Sequence, residues 1–177
     1  MQQERPAAQA RRVRGCGALD RLYCRMAPET SKRDTPWTMS RENVEICRRA
    51  NAAWHNRDLA AFEAECAPDI QWRDLQHAPD LPAVVHGIEA VRRIWADWLH
   101  AFPDLRADIS EYIDEGETVI CPTHWHGSGE ASGVPVDSHL VDVYELQGGR
   151  IVRVTLGYRS KKEALEATAQ SEPRSVS

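Results

Sequence analysis

The 177-residue sequence predicts an α+β fold in which helices come first and a curved antiparallel or mixed sheet follows. Up to Pro103 the apolar residues recur mostly at helical spacing, and beyond Pro103 their period changes to two. Glycines then interrupt the alternating segments where tight turns would join neighbouring strands. These observations favour one domain whose helices and strands are segregated along the chain.

Two helices are predicted at the start of this domain. The first extends from Ser40, its N-cap, to about Asn56, with apolar residues at helical spacing. Asp58 caps a second, shorter helix, which Pro68 ends. An alternating strand is predicted over residues 70–74 because apolar and polar side chains alternate there.

The sheet follows a third helix. A loop containing Pro79 and Pro82 leads to Gly87, which begins this helix, and Pro103 marks its end. Alternating apolar residues and glycine turns predict four further strands and a final short helix. The strands are predicted over residues 105–113, 119–126, 136–146 and 151–158, and the helix over residues 161–169.

Composition separates the first 38 residues from the rest of the chain. Residues 1–38 contain eight Lys/Arg and four Asp/Glu, a net charge of +4; because the whole chain is −5, residues 39–177 carry −9. An acidic domain without a basic patch is poorly suited to a phosphate backbone, so nucleic acid is not an expected partner. Residues 1–38 are interpreted as a disordered basic extension and residues 39–177 as the folded domain.

Two other interpretations of residues 1–38 stay open. Their arginines are typical of a mitochondrial presequence, although Glu4, Asp20 and Glu29 argue against one. Translation could instead begin at Met39, directly before the predicted first helix.

Cysteine usage and hydropathy favour a cytoplasmic protein. The five cysteines are odd in number and show no CxxC spacing, which predicts reduced thiols. The longest apolar runs are too short to cross a bilayer, so a membrane is not an expected partner.

Five short segments, in order, carry a family resemblance. They are NRDL at residues 56–59, APDIQW at 67–72, HGIEAV at 86–91, FPDL at 102–105 and GRIV at 149–152. With them the sequence resembles the SnoaL-like branch of the nuclear transport factor 2-like superfamily. The resemblance implies a cone whose mouth is plugged by helices, an interior pocket for a hydrophobic small molecule, and a homodimer through the outer sheet face. It also implies enzymes related to ketosteroid isomerases and polyketide cyclases, among other functions.

Asp74 is one candidate for chemistry. It ends the predicted strand over residues 70–74, in phase with Ile70 and Trp72, and a carboxylate beside apolar rings suits a general base working near neutrality. The resemblance places it where ketosteroid isomerases keep a proton-shuttling aspartate. The alternative is a strand-end aspartate that accepts hydrogen bonds from turn amides.

Asp142 is a second candidate, because charges are rare in the middle of an apolar strand. The resemblance places it where those isomerases hold a protonated aspartic acid that donates a hydrogen bond to an enolate. If Asp74 and Asp142 share one apolar cavity, one is expected to stay protonated while the other acts as base. The alternative is a buried aspartate paired with an arginine or histidine for structural reasons.

His124 and His126 share one strand face, with Trp125 on the other. The register implied by the resemblance turns both histidines toward the interior, as a proton shuttle or as hydrogen-bond partners for a carbonyl. It turns Trp125 to the outer face, where its removal is expected to weaken a dimer. The alternative is two partly exposed histidines near a strand end.

The pattern departs from two enzyme branches. Ketosteroid isomerases carry an oxyanion-hole tyrosine on the first helix, but Ala50 stands there, so Tyr112, Tyr144 or a histidine would have to replace it. The epoxide-hydrolase branch needs an Arg-x-Asp pair where this chain has residues 124–126 (HWH).

Trp54 and Trp72 are expected either to pack in the core or to line a pocket for a flat ligand.

A metal site on the same strand is a further alternative. His124-x-His126 followed by Glu130 resembles the first half of a cupin metal motif, and His139 could add another ligand. Cupins are all-β barrels, whereas this domain begins with helices, and the second cupin motif is missing. No metal or other cofactor is therefore expected.

The resulting hypothesis is a small-molecule-binding protein that acts as a cofactor-free isomerase, cyclase or hydratase on a hydrophobic carbonyl compound. Asp74 would be the base and Asp142 the acid, and His124 and His126 would position the substrate. His139 is counted among the ligand-binding residues. Two alternatives remain: a non-catalytic ligand-binding or dimerisation module, and a cupin-like metal-dependent enzyme.

Overall fold

The structure is a computed structural model that describes residues 36–77, 82–131 and 133–170, with side chains from residue 41 onward. This part of the chain contains four helices and seven strands. In chain order they are α1 (Pro36–His55), α2 (Leu59–Glu65), β1 (Cys66–Asp74), β2 (Val84–His86), α3 (Ile88–Ala101), β3 (Arg106–Ile109), β4 (Ile113–Glu115), β5 (Thr118–Ser128), β6 (Pro135–Gln147), β7 (Arg150–Tyr158) and α4 (Lys161–Gln170).

The strands form one mixed sheet in the order β2-β1-β7-β6-β5-β3. The short strand β4 also pairs with β5: β4 lies beside residues 118–120 of that strand, whereas β3 lies beside residues 123–126. The β1–β7 pair is parallel, whereas the remaining pairs are antiparallel. Helices before the sheet and one curved sheet behind them confirm the predicted α+β cone.

The main core lies between the helices and the concave face of the sheet. Ile46 and Cys47 of α1 and Trp95 of α3 are almost completely buried against Ile70 and Val154 of the central strands. These residues recur at helical spacing on the helices and on one face of the strands, which is why the sequence pattern predicted the elements well.

The convex face of the sheet is partly covered by the chain's own last helix. Ile120, Val141 and Val143 form a second apolar cluster with Ala164 of α4, which is fully buried. The family resemblance implies a homodimer through this outer face, which would also bury these residues. Within the described residues α4 accounts for their burial without a second copy.

The first helix begins earlier than predicted. α1 begins at Pro36, so Ser40 lies inside the helix and is not its N-cap. Proline is favoured in the first helical turn because its missing N–H has no intrahelical partner there. Residues 1–35, which make up most of the predicted basic extension, lie outside the described part of the chain.

Asp58 caps α2 as predicted, because its Oδ1 accepts a hydrogen bond from Ala61 N at 3.0 Å. The long strand predicted over residues 105–113 is broken into β3 and β4. Both halves pair with β5, but Pro122 has no N–H to offer on that side, and Ser110 N and Oγ donate to its carbonyl instead.

The segment before α3 also differs from its prediction. Val84 to His86 form the edge strand β2, antiparallel to β1, where a loop was expected. Three residues between Pro82 and Gly87 are too few to show a period of two. None of the helices in the described part of the chain is both long and apolar enough to cross a membrane.

Candidate functional site: the interior of the cone

In the described part of the chain, the interior contains a small cavity and two larger, partly open chambers. The deep cavity, of about 20 Å³, lies beside Asp142, Tyr144 and several tryptophans. The helix-side chamber, of about 260 Å³, lies between β1, β2 and α3. The sheet-side chamber, of about 360 Å³, lies along β6 and β7. Asp74, His77 and Trp98 line both chambers, so the two meet at these residues.

Asp142 is the most deeply buried carboxyl group of the site, with 1% of its surface exposed. Its Oδ2 accepts a hydrogen bond from Trp125 Nε1 at 2.9 Å, and its Oδ1 accepts one from Gly157 N at 3.1 Å. Burial raises its pKa to about 6; these hydrogen bonds act in the opposite direction, and the charge of Asp74 adds to the increase. It forms no ion pair within the described residues, so the predicted structural partner, an arginine or histidine, is absent there.

A β-bulge aims a backbone N–H at this carboxyl group. In the β6–β7 ladder Val141 pairs with Tyr158 and Val143 with Thr155, so two residues of β7 stand opposite Asp142 alone. One of them, Gly157, has a φ of 95°, a backbone conformation that side chains with a Cβ rarely adopt. Bulges commonly redirect groups next to functional sites, and here the redirected group is a hydrogen-bond donor.

Trp125 and Leu156 lie between the deep cavity, which Asp142 lines, and the sheet-side chamber. The Trp125 indole lines both the deep cavity and the sheet-side chamber, while its N–H is bound to Asp142. Asp142 lines only the deep cavity, and Asp74 lines only the chambers. The two aspartates therefore line different cavities and not the single shared cavity that was predicted.

Asp74 lies at the end of β1, partly exposed, where both chambers meet. Its Oδ1 accepts a hydrogen bond from Gln76 N at 2.8 Å, the turn interaction that the sequence analysis gave as the alternative. Among the described residues no donor reaches Oδ2. The carboxylate is thus held in place by one oxygen while the other can meet a ligand.

His77 lines both chambers beside Asp74, and the sequence analysis overlooked it. Its Nδ1 lies 2.9 Å from the Asp74 carbonyl oxygen. Because a carbonyl oxygen only accepts, Nδ1 carries the hydrogen and the neutral ring keeps a lone pair on Nε2. An Asp-x-x-His sequence directly after a strand that ends in a candidate base was the available signal.

Five tryptophans surround these cavities in an edge-to-face network. The closest ring centroids are those of Trp54 and Trp95, 4.7 Å apart, and Trp98 lies 5.7 Å from Trp125. The buried indole N–H groups of Trp54, Trp72 and Trp95 have no hydrogen-bond partner. Unpaired buried donors are costly. Of these three residues only Trp72 also lines a chamber, the helix-side one, where its N–H could donate to an oxygen atom of a ligand.

The histidines face the other way from the prediction. Trp125 points into the cone, and His124 and His126 lie on the convex face with about two-fifths of their side chains exposed. His139 lies exposed on the same outer face, directly across from His124. A period of two defines which residues share a face, but an assumed register that is wrong by one residue turns all of them over.

The remaining predicted ligand residues divide between the cavities and the surroundings. Trp54 and Tyr144 line the deep cavity, and Trp72 lines both that cavity and the helix-side chamber. Tyr112 lines none of the three cavities: its ring lies under the Arg48 guanidinium, 4.3 Å from the centroid, and burial raises its pKa to about 12.

A curved sheet closed by helices around apolar chambers defines a cone-shaped protein of the nuclear transport factor 2-like class. A family model described as SnoaL-like domain matches residues 47–154, more than half of the sequence. The chain belongs to the SnoaL-like domain family. An all-β barrel does not describe this structure, so the cupin-like alternative is wrong. No curated protein sequence matches the chain.

Several solved structures share the fold. A candidate SnoaL-like polyketide cyclase from Jannaschia sp. CCS1 is 18% identical, with a TM-score of 0.60 over 76% of this chain and 96% of that chain. An NTF2-like protein of unknown function from Burkholderia pseudomallei K96243 is 23% identical, with a TM-score of 0.59 over 71% of this chain and 95% of that chain. Bal32a, from a soil-derived mobile gene cassette, is 17% identical, with a TM-score of 0.62 over 72% of this chain and 97% of that chain.

Proposed function

We propose that this protein binds an apolar small molecule in the two chambers and acts on it as a cofactor-free acid–base enzyme. The observation that carries the proposal is the meeting point of the chambers, where Asp74 and His77 lie against apolar walls. The sheet-side chamber alone, at about 360 Å³, falls within the usual range for small-molecule sites, about 300–1,000 Å³.

The walls indicate the chemical class of the ligand. Phe102, Leu105, Val136 and Leu140 give the sheet-side chamber an apolar surface, with Ser138 as a polar group among them. Such a lining suits a largely hydrocarbon molecule that carries few oxygens. A cyclic or aromatic ketone fits this description, and the relative from Jannaschia supports a polyketide-like substrate.

The proposed reaction begins with proton abstraction from the carbon next to a carbonyl group. The C–H bond breaks, its electron pair forms an enolate, and the proton moves to a carboxylate oxygen of Asp74. The unpaired N–H of Trp72, two residues earlier on the same strand face, would donate to the enolate oxygen. Asp74 would then return this proton to another carbon of the enolate, while His77, with a lone pair on Nε2, would accept a hydrogen bond from a hydroxyl group of the ligand. Isomerisation and ring closure through the enolate share this first step, and so does the loss of water from a β-hydroxy ketone, the reverse of hydration.

Asp142 takes a different role from the one its sequence position suggested. It does not line the chambers, so we propose that it positions the reaction site without touching substrate. By binding both Trp125 Nε1 and Gly157 N it holds the wall between the cavities in place.

Hydrogen–deuterium exchange tests the proposal without knowledge of the final product. A panel of cyclic ketones and β-diketones is incubated with the protein in D₂O, and deuterium uptake at the α-carbon is followed by mass spectrometry. We expect uptake with the native protein and a loss of about 100-fold or more in Asp74→Asn, the typical worth of a general base. Asp97→Asn removes another carboxylate from the chamber wall and should leave the rate unchanged.

The non-catalytic ligand-binding alternative is favoured by the filled deep interior, where tryptophans leave only about 20 Å³. Tryptophan fluorescence separates the two functions, because Trp98 lines both chambers. Quenching by panel compounds without deuterium uptake would establish binding alone. Uptake of equal size in the native protein and in Asp74→Asn would contradict the catalytic proposal.

A further inference from the structure

The convex face of the sheet carries a cluster of histidines and aspartates away from the chambers. His124 and His126 come from β5, His139 and Asp137 from β6, and Asp108 from β3. His124 stands directly across from His139, and His126 directly across from Asp137. The backbone ladder of three adjacent strands therefore holds all five side chains on one face.

Three of these residues present ligand atoms close enough to share one ion. The donor atoms of His124, Asp137 and His139 all lie within 4.8 Å of one another. Tetrahedral zinc with bonds of about 2.0–2.1 Å needs ligand atoms about 3.4 Å apart. Rotation of these side chains, which are exposed or partly exposed, would bring the three atoms to that spacing.

The arrangement of His124 and Asp137 already resembles a shared-cation site. His124 Nε2 donates to Asp137 Oδ1 at 2.7 Å, and the His139 ring stacks on that of His124 with centroids 4.2 Å apart. Because stacked rings direct their nitrogen lone pairs along parallel planes, the exposed His139 ring would have to turn before its nitrogen could bind the same ion as His124. A cation between His124 and Asp137 would take the place of the shared hydrogen.

Asp108 prevents His126 from joining this group. Its Oδ2 accepts a hydrogen bond from His126 Nε2 at 2.9 Å, so that ring is directed toward β3 and away from Asp137. His55 also approaches Asp108, at 3.8 Å. The convex face therefore separates into a His126–Asp108 pair and a three-residue group on β5 and β6.

We propose that His124, His139 and Asp137 form a binding site for a divalent late transition-metal ion such as Zn²⁺ on the outer face of the sheet. Two imidazole nitrogens and one carboxylate oxygen suit this class of ion, whereas Mg²⁺ and Ca²⁺ prefer all-oxygen ligands. Three protein ligands leave a further position for water or another group. The site is independent of the proposed function of the chambers.

Equilibrium dialysis of the untagged full-length chain against Zn²⁺, with metal analysis of the protein, tests this site. We expect saturable binding of about one ion per chain, and no competition from millimolar Mg²⁺. His124→Ala and His139→Ala should each weaken binding by at least about tenfold. His100→Ala removes an exposed histidine of α3 and should leave it unchanged.

A second measurement guards against loss of folding. Zn²⁺ stabilises whichever state binds it, so it should raise the melting temperature of the native protein and of His100→Ala. The His139→Gln variant keeps a polar side chain of similar size and should melt like the native protein without metal, yet gain nothing from Zn²⁺. Absence of saturable binding, or equal binding by the native protein and both alanine variants, would overturn the proposal.

Discussion

At the scale of single residues, Asp142 shows how burial and hydrogen bonding compete over one carboxyl group. Two N–H groups favour its charged form, yet complete burial outweighs them and raises its pKa to about 6. The folded protein therefore holds this proton more tightly than the unfolded chain does. The resulting contribution to stability is present in full below the unfolded pKa of about 3.9 and is lost as the pH rises through about 6.

Asp142→Asn should remove this pH dependence. As the pH rises from 4 to 7.5, the native protein should lose about 2 kcal/mol of unfolding free energy that the variant keeps. Urea unfolding at a series of pH values gives this difference directly, and Asp97→Asn, an exposed carboxylate, serves as the control. A difference that stays constant with pH would show that Asp142 is not held protonated.

The same residue shows what the sequence could reveal. A lone charge amid Leu140, Val141, Val143 and Tyr144 signals a buried carboxyl group, because nothing else places Asp in such a run. The sequence does not show in the same way which of His124 and Trp125 points into the cone. Alternation groups residues by face, but only packing against the helices decides which face is inside.

At the scale of elements, the bulge at the end of β7 is the feature that most affects the site. A Cβ on Gly157 would lie 2.8 Å from Gln76 Cγ, and the Gln76 side chain itself donates to the Gly157 carbonyl at 2.9 Å. A substitution there would strain the backbone and displace this hydrogen bond together. The sequence alone does not identify the bulge, because a glycine inside a strand can mark either a bulge or the close approach of another group.

Gly157→Ala should lower the unfolding free energy by about 2–3 kcal/mol, from backbone strain together with the lost hydrogen bond. Gly148→Ala is the matched control: its φ is 58° and a Cβ would meet nothing within 4 Å, so strain alone should cost about 1 kcal/mol. Chemical denaturation of the two variants measures both values. Equal losses would show that Gln76 moves aside freely.

Other elements show where the period of a sequence is informative. The long helix α3 and strands β5 to β7 follow their patterns over nine or more residues, and the predictions agree with the structure. β2 has three residues, and the break between β3 and β4 depends on Pro122 of a different strand. The alternating pattern of residues 105–113 contains no information about Pro122, the residue of the neighbouring strand that lacks a backbone N–H.

At the scale of the whole molecule, the homodimer stays a prediction. The convex face that the family resemblance implicates is partly covered by α4, whose Leu165 is 40% exposed. Its remaining described surface is rich in histidine and aspartate. A dimer through this face would therefore have to bury α4 together with polar groups.

Leu165→Glu should shift the sedimentation coefficient toward that of a monomer if α4 lies in the interface, because a buried unpaired charge is strongly unfavourable. Ala96→Glu introduces the same charge on the exposed side of α3, which packs on the other face of the sheet, and should leave the coefficient unchanged. Identical sedimentation of all three proteins would exclude an interface through α4.

The position of Trp125 has a consequence for how this protein could change its specificity. Because the Trp125 indole forms, with Leu156, the wall between the deep cavity and the sheet-side chamber, its replacement by a small residue is expected to open one space into the other. The longest molecule accepted would then increase abruptly, and Asp142 would gain direct access to it. One substitution at Trp125 would therefore change both the length of the pocket and the carboxyl groups that line it. Evolution or protein engineering could alter the substrate range of this protein by that single change.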